Sequence, residues 1–107
     1  MPYRVLITAK AEADVEVVLR WFRDQRAARA GKRWFNQLMA KLDALESDPE
    51  RFPVAPESAE IAVEIREFLL GRKQSRFRVL FRIDGQTVTI LRLWHGARDS
   101  ITRRDVT

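Results

Sequence analysis

Apolar and polar positions alternate at the start of the chain. Tyr3, Val5 and Ile7 interleave with Arg4, Leu6 and Thr8, which predicts a short strand over residues 3–8. The period then changes to 3.6. Val15, Val18, Leu19 and Phe22 fall at i, i+3, i+4 and i+7, with Arg20, Arg23, Asp24 and Arg26 mostly off that face, so a helix is expected to about Arg29. Thr8 suits its N-cap, and Glu12 and Asp14 suit its first turn. Gly31 is read as the bend before a second helix that carries Trp34, Leu38, Leu42 and Leu45, widened by Phe35 and Met39. So short a break predicts an antiparallel helix hairpin, with Trp21 and Trp34 as core aromatics.

Ser47-Asp48-Pro49 ends the second helix. Pro49, Pro53 and Pro56 make residues 48–58 a stiff loop for which no regular structure is expected. Beyond it the pattern returns to period two. Val63 and Ile65 alternate with Glu64 and Arg66, and the second strand is placed over Ile65 to Leu70; Phe77, Val79, Phe81 and Ile83 alternate with Arg78, Leu80, Arg82 and Asp84. Gly71 to Ser75 is a polar connection. Asp84-Gly85 signals a two-residue hairpin, and Val88 to His95 is the return strand. The order is β-α-α-β-β-β: a single α+β domain over residues 1–107, its helix hairpin packed on one face of a small, largely antiparallel sheet.

With Asp84 and Gly85 as the loop residues, Arg78 pairs with Leu91 and Leu80 with Thr89. Period-two geometry then puts His95 on one face with Leu91, Leu93, Arg78 and Arg82. Phe77, Val79, Phe81, Val88 and Ile90 face the helices. A bulge would shift this register, and Trp94 and His95 are the positions most exposed to such a shift.

Composition narrows the function. Hydrophobic residues make up 46% and charged residues 33% of the 107, an ordinary globular balance. Cysteine is absent, which removes disulfides, zinc-thiolate sites and thiol catalysis, and a single histidine removes a multi-histidine metal site. No metal or other cofactor is expected. No apolar run approaches the ~18–20 residues of a membrane span, and Met1-Pro2-Tyr3-Arg4 does not begin a secretory signal, so a cytoplasmic protein with no membrane partner is expected. Residues 1–63 carry 10 basic and 10 acidic residues, whereas residues 64–107 carry 10 and 5, which places the whole +5 excess in the second half. A basic half of this kind points to a polyanionic partner, nucleic acid or an acidic protein segment.

Several stretches together resemble one family. They are Ile7-Thr8-Ala9-Lys10-Ala11-Glu12-Ala13-Asp14, Trp34 with the leucine helix, Arg78-Val79-Leu80-Phe81-Arg82-Ile83-Asp84-Gly85, and His95-Gly96-Ala97-Arg98-Asp99. In this order, over nearly the whole chain, they resemble the RelE/ParE toxins of type II toxin–antitoxin systems. The resemblance implies a co-encoded antitoxin that wraps and neutralises the toxin. It also implies one of two activities. RelE-like members are ribosome-dependent endonucleases that cut messenger RNA (mRNA interferases); ParE-like members lack that chemistry and inhibit DNA gyrase.

RNA cleavage by attack of a 2′-hydroxyl on the adjacent phosphate needs a base, an acid and positive charge on the phosphorane oxygens. The leading expectation is a metal-independent endoribonuclease with Arg78 and Arg98, which match family arginines, on the phosphate. His95 is the candidate acid and Glu57 the candidate base. Arg66, Arg72, Lys73, Arg76, Arg82, Arg103 and Arg104 are candidates for RNA or phosphate binding. The family's second-strand lysines and C-terminal tyrosine have no counterpart here, which motivates the gyrase alternative, acting through the helix hairpin or the basic C-terminus. Each residue also has a structural reading: His95 capping a strand, Arg78 and Arg82 solvated or against an acidic antitoxin, Arg98 paired with Asp99, Glu57 an exposed loop carboxylate. The antitoxin is expected to dock an amphipathic helix on apolar surface and lay acidic residues over the basic sheet face.

Overall fold

A computed structural model describes residues 2–72, 76–96 and 101–106. Strand β1 (Arg4–Ile7) leads into helix α1 (Ala9–Asp24) and helix α2 (Ala28–Ala44). A 3-10 turn (Pro49–Arg51) and a one-turn helix α3 (Ser58–Ile61) precede strands β2 (Arg66–Leu70), β3 (Phe77–Asp84) and β4 (Thr87–His95), and a short helix α4 (Arg103–Val106) follows. The strand order is β1-β4-β3-β2, with β1 parallel to β4 and the other pairs antiparallel. This is the expected α+β arrangement. The proline-rich segment is more ordered than expected, because its 3-10 turn and α3 satisfy backbone groups that a bare loop would leave unpaired, and Val54 bridges to Arg66.

The helix hairpin forms as the periodicity requires, and Thr8 caps α1 by accepting a hydrogen bond from the Ala11 N–H at 3.1 Å. The bend lies elsewhere than expected. It occupies residues 25–27, where Arg26 takes a left-handed φ of 55°. Gly31 is inside α2, and its role is close approach: a Cβ there would stand 2.9 Å from the Phe22 Cβ. Trp34 is buried in the core, whereas Trp21 is 56% exposed on the outer side of α1.

The main core lies between the hairpin and one sheet face, with Leu38, Leu42 and Leu45 against Val79, Phe81, Val88 and Ile90. The other face is not the open basic surface expected from the alternation. Ala55, Ile61, Ile65, Leu80, Leu91 and Ile101 form a second buried cluster there, flanked by Val63, Trp94 and Val106. The loop before β2 and the C-terminal segment cover this face.

The β3–β4 register also differs. Asp84 pairs with Thr87, so Gly85 and Gln86 form the turn, and Gly85 supplies the positive φ of 62°. Phe81 pairs with Ile90 but Leu80 with Arg92, which leaves Leu91 as the extra residue of a β-bulge. The bulge inverts the faces of all that follows. Leu93 turns to the main core and Trp94 to the second cluster. His95 pairs with Phe77, and Arg78 with Trp94, so His95 and Arg78 occupy opposite faces of the sheet.

Candidate functional site

Arg78 projects from β3 onto the second face and meets two carboxylates. Its Nη1 and Nη2 donate to the two oxygens of Glu57, each at 2.9 Å, and its Nε donates to Glu67 Oε2 at 2.9 Å. Glu57 is placed by the turn into α3, and Glu67 by β2, where it pairs with Leu80, two residues along β3. The side chains of Arg78 and Glu57 are each only 13% exposed, and that of Glu67 16%. The bidentate Arg78 contact holds the Glu57 carboxyl below its ordinary pKa, against the opposing effect of burial. The same contact raises the Arg78 guanidinium above its ordinary value. Among the described residues the group has one positive and two negative charges. On those residues it is anionic, and its guanidinium is already occupied.

A second arginine on the same face is arranged alike, and the pattern reading did not single it out. Arg92 Nε and Nη2 donate to Asp14 of α1 at 2.7 and 2.8 Å, and Nη1 donates to Asp105 of α4 at 2.9 Å. Its guanidinium also lies 4.9 Å from the Trp94 ring centroid. Asp14 accepts in addition from the Leu93 N–H at 3.0 Å, and Thr8 Oγ1 donates to the Leu91 carbonyl at 3.1 Å. The start of α1 therefore holds the outer edge of β4 where β1 has ended. Burial opposes ionisation of Asp105, but the Thr102 N–H, the Arg92 guanidinium and the Thr102 hydroxyl outweigh it and keep its carboxyl below the usual range.

The other expected residues are distributed around the domain. Glu57 and Arg78 are brought together. His95 is exposed and lies edge-to-face on Phe77 at 5.0 Å, on the helix side, away from both. Arg66 donates to the carbonyls of Glu50 and Phe52 at 2.9 and 2.6 Å and pairs with Glu64 at 3.1 Å, so it staples the loop before β2. Arg72 and Arg76 are exposed near the ends of β2 and β3, Arg82 is half-buried opposite Thr89, and Arg103 and Arg104 are exposed on α4. Arg98 and Lys73 lie outside the described residues. Two shallow clefts follow the outer edge of β2, one lined by Gln37, Lys41 and Arg72, the other by Phe52 and Glu67; neither is lined by Arg78, Glu57 or His95.

Comparison with known proteins places this arrangement. Residues 5–100 match the family described as ParE toxin of type II toxin–antitoxin system, parDE. Toxin RelE1 of Caulobacter vibrioides is 31% identical over 97 residues, which cover 90% of this chain and 96% of that one. Among solved structures, the chromosomal ParDE TA system from P. aeruginosa superposes with a TM-score of 0.69 at 18% identity, covering 87% of this chain and 95% of that one, and so shares the fold. No helix among the described residues is long and apolar enough to cross a membrane. The helix hairpin on a four-stranded sheet and the match over most of the length agree: the chain belongs to the RelE/ParE superfamily of type II toxin–antitoxin toxins.

Proposed function

We propose that this chain is a growth-inhibiting toxin that acts by binding, with DNA gyrase trapped on cleaved DNA as its target and a co-encoded antitoxin as its physiological partner. The Arg78 site carries this reading. Among the described residues, a guanidinium held by two carboxylates presents net negative charge to an approaching phosphate. Glu57, with its pKa lowered, is a weaker base than a free carboxylate, and His95 stands on the opposite face, out of reach as an acid. The family match to ParE toxins supports the same choice. The test is a supercoiling assay with purified gyrase, plasmid and ATP. Accumulation of protein-linked, linear DNA is expected; unaffected gyrase would overturn the reading.

One observation favours the second reading, a ribosome-dependent mRNA endonuclease. Glu57 and Arg78 stand 2.9 Å apart, as a base beside a phosphate-binding arginine would. A substrate phosphate would have to displace Glu57 from Arg78. Mapping RNA 5′ ends in a reconstituted translation system separates the two. Ribosome-dependent cuts that are lost in the charge-neutral, folded variant Glu57→Gln/Glu67→Gln/Arg78→Gln would establish the nuclease; intact message leaves gyrase.

A further inference from the structure

The densest unneutralised charge in the described structure is at the tip of the helix hairpin. Residues 20–33 contain Arg20, Arg23, Arg26, Arg29, Lys32 and Arg33 against the single carboxylate of Asp24, an excess equal to the +5 of the entire chain. All six cations are exposed, and none is ion-paired with a described residue, in contrast to Arg66, Arg78 and Arg92. At about 1.5 Å of rise per residue they lie within about 9 Å of the loop along the two helix axes.

Local stability opposes the α2 half of this placement, whereas Arg23 in the last turn of α1 suits the dipole of that helix. Arg29, Lys32 and Arg33 occupy the first turns of α2, the positive end of its dipole. That first turn has no acidic residue, and Ala27 supplies no side-chain cap. Arg26 adopts a left-handed conformation in the loop. Helix chemistry would favour acids and a serine or aspartate at the start of α2, so the cations of α2 have a reason outside folding. Beside it, Trp21 and Val17 are 56% and 60% exposed on α1.

We propose that the tip of the α1–α2 hairpin is a DNA-backbone-binding surface, with the cations of both helices neutralising phosphates and Trp21 flanking the contact. Charge complementarity requires a polyanion, and duplex DNA presents about one charge per 1.7 Å of axis, a density that matches so compact a cluster. The choice of DNA over RNA rests on the gyrase reading, in which the toxin acts on an enzyme that holds a DNA duplex.

The test is fluorescence anisotropy of a short fluorescein-labelled duplex titrated with the full chain over a range of salt. The variant Arg29→Gln/Lys32→Gln/Arg33→Gln removes cations from a position where they disfavour the helix, so it keeps its fold, as circular dichroism would verify. It should bind at least tenfold more weakly, with the slope of log K against log salt reduced by about 2.7, near 0.9 for each lost phosphate contact. DNA should quench part of the tryptophan emission, and Trp21→Phe should abolish the quenching, since Trp34 is buried and Trp94 packs on the second cluster, across the sheet from the hairpin. Equal affinity and slope in the triple variant would overturn the proposal. So would tighter binding of an RNA duplex or of polyglutamate. The gyrase assay separates the two ideas. If the wild type poisons gyrase and the variant does so equally without a DNA-binding defect, the tip proposal fails and the gyrase reading stands. If tip-dependent DNA binding is found but gyrase is untouched, the gyrase reading fails and the tip surface stands.

Discussion

Phe22 of α1 and Gly31 of α2 set the closeness of the helix hairpin, since a Cβ at position 31 would lie 2.9 Å from the Phe22 Cβ and 3.2 Å from its Cγ. The clash involves the root of the ring, which cannot swing away as a flexible side-chain end would. In an open helix, Gly→Ala is stabilising by about 1 kcal/mol. Here overpacking of about 1–3 kcal/mol opposes that gain. Gly31→Ala is therefore expected to lower stability by up to about 2 kcal/mol, measured by urea unfolding. A raised midpoint would show that the hairpin relaxes freely.

Arg78 is expected to matter for folding before it matters for toxicity. Arg78→Ala leaves Glu57 and Glu67 facing each other with little solvent, at a cost of about 3 kcal/mol, the lower end for a broken buried pair because some exposure remains. Growth arrest lost in Arg78→Ala is thus no evidence of catalysis. The informative variant is Glu57→Gln/Glu67→Gln/Arg78→Gln, which removes all three charges together. It should recover most of the stability and retain growth arrest under the gyrase reading. A stable but non-toxic triple variant would return Arg78 to a catalytic role.

The elements themselves were legible in the sequence because their periods are clean. Leu38, Leu42 and Leu45 mark the helix face, and Phe77, Val79 and Phe81 the buried face of β3, as found. The register was not legible in the hairpin signal alone, because Asp84-Gly85 fits several turns. A sign of the bulge did exist: Ile90-Leu91 are consecutive apolar residues, and strict alternation would aim Arg92 into the core. Leu91 resolves the conflict by standing outside the ladder, and Arg92 then turns to Asp14 and Asp105. The second core was hidden because its pieces, Ala55, Ile61 and Ile101, come from segments without periodicity. The charge of the hairpin tip was hidden by averaging, since the acids of the same half cancel it in any sum over residues 1–63.

The two arginine clusters also set the acid limit of stability. Glu57 and Asp105 both have folded pKa values below their unfolded ones. The unfolded chain therefore takes up protons first, near about pH 4. The stabilisation is fully present above that range and is lost as pH falls through the lower, folded values. Thermal midpoints should be flat from neutrality to about pH 5 and fall steeply below it. Glu57→Gln should unfold at a lower temperature at pH 7 and show a shallower acid decline. A wild-type profile flat to pH 3 would mean that these carboxylates are not coupled to folding.

The face that His95 occupies depends on Leu91 standing outside the ladder, and that geometry depends on α1. Asp14 receives both the Leu93 N–H and two donors of Arg92, while Thr8 takes the Leu91 carbonyl. Without Asp14, Leu93 would present an unpaired N–H at an edge that β1 no longer covers, and Arg92 would retain only Asp105 among these carboxylates. Hydrogen bonds to charged groups contribute about 1.5–3 kcal/mol, so Asp14→Ala should cost about 2 kcal/mol. The loss should be local in hydrogen exchange. The Leu93 amide should exchange at least tenfold faster, beyond what the global destabilisation accounts for, while the Phe81 and Val79 amides follow the global change alone. Uniform acceleration would mean that the bulge is intrinsic to the β3–β4 pair, with α1 merely resting on it.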